Sequence, residues 1–247
     1  LGLYTEDHTA AWNDAIQSLS EDVTAGVHLV HAGSNGAREP QVFGHGTTGE
    51  YESTWAPRLS EEYPRSSRTF HTDNFSQSDR SDVLNEYVAA ARRAVDAGFE
   101  YIQIHAGSST LLGQLLTGPD SARGHRIQFP RRIVDGVSDA LPTEIPLGVT
   151  LPVSDNGETG LSLDEAFVAA RELSEAGCDI VLPVETALGE RGITQKGPSD
   201  FSDDIRNEVG VKTLSTTPTT STNKVNTLIS TGRADLCVYS GPPSPEE

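Results

Sequence analysis

The apolar positions of this 247-residue chain alternate between two periods, the 3.6-residue spacing of a helix and short β-branched runs. Residues 89–114 show it most clearly. Ala90, Ala91, Ala94 and Val95 recur at helical spacing, Arg92 and Arg93 take the wet face, and Gly98 stands where a left-handed residue ends a helix. Tyr101-Ile102-Gln103-Ile104 then reads as a buried strand that delivers His105 to its carboxyl end. In a parallel α/β protein that end is where ligands bind.

The same alternation extends in both directions. Helices are predicted over 7–19, from near Pro130 to 141, and over 163–176, 201–209 and 225–230. Strands are predicted at 27–30, 145–151, 180–184, 211–214 and 234–239, apolar on both faces, with Gly177 and Gly232 stopping the helices ahead of two of them. About six strand–helix repeats of this kind imply a parallel sheet covered by helices. Residues 35–78 are rich in Gly, Pro, Ser and charge without steady periodicity, and read as a long loop or insertion in a single domain spanning 1–247. A (β/α)8 TIM barrel needs two more strands than the pattern supplies. Methionine is absent, even at position 1, so the expectation is a barrel whose first two strands lie upstream of this sequence.

Charge narrows the partners. Against 36 acidic residues stand 18 basic ones, a formal net charge of −18, which disfavours nucleic acid and anionic membranes. The basic residues are mostly Arg, with Lys only at 196, 212 and 224. Such self-repulsion is tolerable where salt screens it, and a halophilic, cytoplasmic protein is expected. No apolar run reaches the length of a membrane span, and no signal peptide is evident. Cys178 and Cys237 each lie in or beside an apolar strand, the ordinary place of a small buried thiol.

Several stretches resemble the old yellow enzyme family of FMN-dependent oxidoreductases. GLYTEDHTAAW is similar to the family's GLW-x-x-x-Q-x-x-AW entry, HLVHAGS to LQLxHAGR, and AAARRAVDAGFEYIQIHAGSSTLLGQLL to AAxRAxxAGFDxVEIHxAHGYLLxQFL. DDIRNEVGVKT and VNTLISTGRADLCV resemble DxIRxExGIxT and VNxxLxxGRADLxx of its carboxyl third. The resemblance covers nearly the whole chain. It implies a barrel holding FMN at the strands' carboxyl ends, reduced by NADH or NADPH and oxidised by a small activated alkene, with the protein polarising the substrate carbonyl and supplying a proton.

Position by position, the resemblance implies a catalytic set of His105, Ser108 and Thr110. His105 stands at the family's carbonyl-binding histidine, Ser108 at its His or Asn partner, and Thr110 at its proton-donating Tyr. Threonine is too basic to serve as that acid, so the proton falls to water. For the cofactor it implies His28 at a glutamine position, His31, Thr150 at an arginine that faces the reduced ring, and Thr216, Ser240 and Gly241 at the phosphate loops. Thr150 and Gly241 remove positive charge that the family places beside the cofactor. Arg126 matches the arginine of the family's E-N-R segment.

No metal is expected. His28 and His31 are three apart on a strand and point to opposite faces, and a cluster of His31, His45, His105 and Glu185 is the best alternative. Glycine-rich Gly33–Gly36 and Gly44–Gly46 lack a phosphate-loop lysine and read as turns. Two functions therefore stand side by side. One is an FMN-dependent ene-reductase-like oxidoreductase. The other is a non-catalytic family remnant or subunit that has lost flavin binding. In either case two missing strands would expose sheet edges that a homo-oligomer or partner must cover.

Overall fold

In the computed structural model, which describes residues 2–33, 76–107, 110–118, 126–154, 160–185, 198–216 and 221–239, strand and helix alternate as the periodicity requires. The chain runs α1 (Glu6–Gln17), β1 (Gly26–Leu29), α2 (Gln77–Asp96), β2 (Tyr101–His105), α3 (Leu111–Thr117), α4 (Gln128–Ser138), β3 (Leu147–Val153), α5 (Leu163–Glu175), β4 (Ile180–Glu185), α6 (Pro198–Val209), β5 (Lys212–Thr216), α7 (Thr222–Ser230) and β6 (Leu236–Val238). The strands form one curled parallel sheet in sequence order, β1 to β6. Among the described strands β1 pairs with β2 alone and β6 with β5 alone.

Alternation along each strand separates two chemistries. Leu29, Ile102, Ile104, Val149, Leu151 and Val181 are buried and join the helices' Ala91, Ala94, Ile133, Val137, Ala170 and Leu173 in one core. Their neighbours Gly26, His28, Tyr101, Gln103, His105, Gly148 and Thr150 occupy the other, inner face. Burying the six strand residues alone is worth roughly 1.5–3 kcal/mol each relative to exposure, so the register of the sheet is firmly set.

The repeat unit has a consistent wiring. Left-handed Gly98, Gly177, Gly210 and Gly232 follow α2, α5, α6 and α7 and turn the chain into the next strand. The residue ahead of a strand then donates to the preceding strand's amino end: Glu100 N to Ala25 O at 2.9 Å, Asp179 N to Leu147 O at 2.8 Å, and Asp235 N to Thr213 O at 2.9 Å. Two of these residues are aspartates whose carboxylates return to accept from the same neighbour, Asp179 from Leu147 N and Asp235 from Thr213 N, both at 2.9 Å. Asp235 also holds Arg206 of α6 at 3.1 Å, tying helix to strand.

The predicted elements are present, their ends displaced by at most three residues. Two differences have physical causes. Residues 76–78, expected within the loop, begin α2: Ser76 Oγ accepts from Asp79 N while the Asp79 carboxylate accepts from Ser76 N, a capping box in an otherwise polar stretch. Residues 35–75 lie outside the described residues. Helix α3 was not predicted, because Leu111, Leu112, Leu115 and Leu116 are all buried and leave no polar face to mark a period. Helix α4 begins two residues before Pro130; in the first turn the missing proline N–H has no intrahelical partner to lose. Cys178 and Cys237 are free thiols, and burial pushes Cys178 up to about 12, consistent with a small core side chain.

Helix α3 approaches the β2 loop so closely that a Cβ on Gly113 would collide with the Gly107 carbonyl. Gly113→Ala should therefore cost about 1–3 kcal/mol through overpacking, read as a lower urea midpoint at unchanged slope. Gly210→Ala, where a Cβ meets nothing within 4 Å and only φ +80° is strained, should cost about 1–2 kcal/mol. Equal midpoints for Gly113→Ala and the parent would contradict the close approach.

Candidate active site

The inner face at the carboxyl ends of β1, β2 and β3 is polar and without a net charge. Its floor is Tyr101, fitted between two glycines: a Cβ on Gly26 would lie 2.9 Å from the Tyr101 ring, and one on Gly148 would strike its hydroxyl. From there a hydrogen-bonded chain climbs the sheet. Tyr101 Oη donates to Gln103 Oε1 at 3.1 Å, and Gln103 Nε2 donates to Thr150 Oγ1 at 2.8 Å. Gln103 and Thr150 are fully buried, so this chain satisfies groups that would otherwise be costly to bury. Burial also raises the Tyr101 hydroxyl, helped by Cys178 and Asp179, and keeps it neutral.

Above the chain stand two imidazoles. His28 and His105 stack with ring centroids 5.9 Å apart and planes 20° apart. Burial lowers the pKa of both below the ordinary 6.5; His28 lowers that of His105 further, while the Gln103 amide works in the opposite sense on His28. The His105 ring lies against Gly107, where a Cβ would come within 2.7 Å of Nε2. Its Nδ1 is buried with no hydrogen-bond partner among the described residues.

The remaining predicted residues fall into three groups. His31 is a scaffold residue at the end of β1: its N–H donates to Tyr87 Oη at 3.1 Å, its Nδ1 accepts from Gly33 N at 3.1 Å, and its carbonyl accepts from Leu111 N at 2.9 Å. That last bond seats α3 beside the site. Burial lowers the His31 pKa, against the opposing effect of Glu86. Thr110 is the N-cap of α3, buried, its hydroxyl donating to Gly107 O at 2.8 Å and accepting from Gly113 N at 3.2 Å. Both hydroxyl roles are thus taken by the backbone. Thr216 closes β5 and stands two strands from Thr150. Ser108, Ser240 and Gly241 lie outside the described residues, as does His45. Among the described residues no group of three or more His, Cys, Asp or Glu is placed to hold a metal.

A profile of protein families decides descent: residues 1–240 match the NADH:flavin oxidoreductase / NADH oxidase family. The chain belongs to that family. An NADPH dehydrogenase of Bacillus subtilis is 24% identical over 248 residues, covering 96% of this chain and 68% of the relative. The "4,4'-dithiodibutanoate disulfide reductase" of Rhodococcus erythropolis is 30% identical over 104 residues, 38% of this chain and 26% of its own length. Among solved structures, morphinone reductase matches with TM-score 0.55 at 21% identity, covering 66% of this chain and 46% of that one. An old yellow enzyme homologue of Zymomonas mobilis matches with TM-score 0.54 at 22% identity over 66% and 49%. These structural likenesses concern the fold, and the chain spans about half the length of both solved structures.

The family's name poses a question of fit: do these residues suit FMN? A neutral face edged by hydrogen-bonding groups, with the His105 imidazole at its carboxyl end, suits the uncharged edge of an isoalloxazine and a ligand carbonyl. Charge is what the face lacks: Gln103 and Thr150 answer each other, and neither carries any. Gln103 was not singled out from the sequence, yet a Gln between two Ile in a buried strand is a polar residue assigned to the inner face by alternation alone.

Two outcomes are expected. Thr150→Val strands the Gln103 amide and should cost about 1–3 kcal/mol, with Thr150→Ser recovering most of it in chemical denaturation. The lowered pKa values of His28, His31 and His105 mean that the unfolded chain binds more protons as pH falls below about 6.5. Their contribution is complete above that pH and declines as pH falls through the folded values. Replacing any of the three by Gln should flatten this acid-side slope in a series of urea midpoints.

Proposed function

We propose that this chain is an FMN-dependent oxidoreductase that takes electrons from NADH or NADPH and delivers them to a small activated alkene or related acceptor. One observation carries the reading: the buried, unpartnered Nδ1 of His105 on a neutral inner face at the carboxyl ends of parallel strands. A polar atom left so is stabilised by a ligand that hydrogen-bonds it. FMN, when bound, supplies the hydride chemistry. His105 then donates a hydrogen bond to the acceptor carbonyl, favouring the charge that develops there. His28 presents a donor to the cofactor's pyrimidine edge beside Gln103 and Thr150, while His31 fixes the loop that seats α3. Thr216, with Ser240 and Gly241, makes the phosphate end, and Ser108 is the second contact to the carbonyl. Thr110 holds the helix, so the proton comes from water.

A second reading is favoured by a specific feature. The Gln103–Thr150 hydrogen bond leaves no positive charge where the family resemblance leads one to expect an arginine, and a remnant that no longer binds flavin would carry just such a neutral face. In either role we infer a protein of the cytoplasm at high salt, as its net charge of −18 suggests. No described helix is long and apolar enough to cross a membrane. Leu236 and Val238 of β6, 47% and 41% exposed, are the surface on which a second copy or a partner would close the sheet.

Titration of the purified chain with FMN in multimolar KCl separates the readings. Quenching of flavin fluorescence, followed by bleaching with NADH or NADPH, is the expected result. His105→Ala should then leave quenching in place while lowering cyclohexenone turnover by about 10²–10³-fold. A chain that is folded by circular dichroism and quenches nothing at millimolar FMN establishes the second reading.

A further inference from the structure

The stacked imidazoles carry an inference beyond the flavin itself, one that rests on the inner face being the ligand site. His28 is paired with Gln103 in the β1–β2 ladder, so His105 lies two residues nearer the carboxyl end and the rings meet on the diagonal, 5.9 Å apart. Among the described residues no carboxylate faces the two rings, and the one group that favours charge, the Gln103 amide, acts on His28 alone. On β2 the other inner groups are Tyr101 and Gln103, on β3 Gly148 and Thr150, and α3 has no ionisable residue from Leu111 to Thr117. Glu86 of α2 acts on His31, whose Nδ1 is already engaged by Gly33. Glu185 ends β4, two strands from β2. Two imidazolium ions at this separation repel, with no described carboxylate beside them to offset the cost.

We propose that His28 is a specificity-determining residue: stacked on His105, it restricts the pair to at most one proton and makes the site select an uncharged carbonyl over a carboxylate of the same shape near neutral pH. A neutral imidazole pair offers donors and acceptors but no countercharge, and a carboxylate entering this face would exchange its hydration for neutral partners. Below the range in which both rings stay neutral, one proton enters and the preference relaxes. The single proton belongs to the pair, so removing either ring changes the titration of the other.

The test uses the whole chain without flavin, its imidazoles ¹⁵N-labelled and followed by NMR, with cyclohexanone and cyclohexanecarboxylate as matched probes. Near pH 7 the ketone should move the His105 ring signals and the carboxylate should not; in acid the carboxylate should begin to bind. In His28→Gln, the His105 titration should move to higher pH and carboxylate affinity near pH 6 should rise about fivefold, the effect of one added charge at a half-exposed site. His105→Gln should move the His28 titration in the same direction, and decides the matter should His28→Gln not fold. Independent titrations in both variants overturn the proposal, as do equal binding of the two probes near pH 7 and binding of neither. Because no flavin is present, failure of the chain to bind FMN would sink the enzyme reading and leave this result standing.

Discussion

The register of β2 between β1 and β3 is the constraint on which both core and site depend. Ile102 and Ile104 face the helices; Tyr101, Gln103 and His105 face inward. A slip of one residue would put two isoleucines on the inner face and bury a tyrosine, a glutamine and a histidine against alanines of α2. That exchange costs apolar burial on one side and stranded polar groups on the other, so a single error is penalised twice. The inner hydrogen bonds add specificity to what the core supplies in energy, because Gln103, bonded to Tyr101 on its own strand, meets Thr150 across the β2–β3 ladder in this register.

Charge is distributed in the opposite way from chemistry. Carboxylates dominate the chain as a whole, yet the described inner face carries none next to its histidines. The surface ion pairs, such as Arg131 with Glu172 at 3.2 Å, are partly exposed and contribute little each. Asp179 and Asp235 are exceptions among the acids, since each caps the backbone of a neighbouring strand. High salt would relieve repulsion among the exposed carboxylates and leave these short-range contacts, and the neutral inner face, almost untouched.

Element order was legible because period, glycine stops and strand composition agreed at nearly every boundary. Where they fell silent, so did the sequence: α3 buries five of its seven residues, and the capping box at Ser76 sits in a run with no apolar period. The site was half legible. Strand alternation places His28 and His105 on one face, but their contact needs the stagger of the ladder, which no single strand reveals. The pairing of Gln103 with Thr150 crosses 47 positions of chain, and Gln103 has no conspicuous neighbour to draw attention to it. Thr110 was read by its place in a family motif, whereas its hydroxyl is consumed by backbone partners at His105, Gly107 and Gly113.

Thr110 shows why shape and chemistry can part company here. A threonine at the N-cap satisfies α3's first turn, and α3 in turn receives the His31 carbonyl through Leu111 N and approaches Gly107 at Gly113. Those contacts hold His105 in place whether or not any proton passes through position 110. Folding therefore constrains the loop around the site more tightly than it constrains the site's acid–base groups. Gln103 and Thr150 obey the same logic, for their hydrogen bond meets the sheet's need for buried satisfaction without meeting an anion's need for charge. What the fold must keep is the scaffold of a site. What the scaffold offers a ligand is then set by a histidine whose buried Nδ1 is left unanswered among the described residues, His105, and by the imidazole stacked beside it.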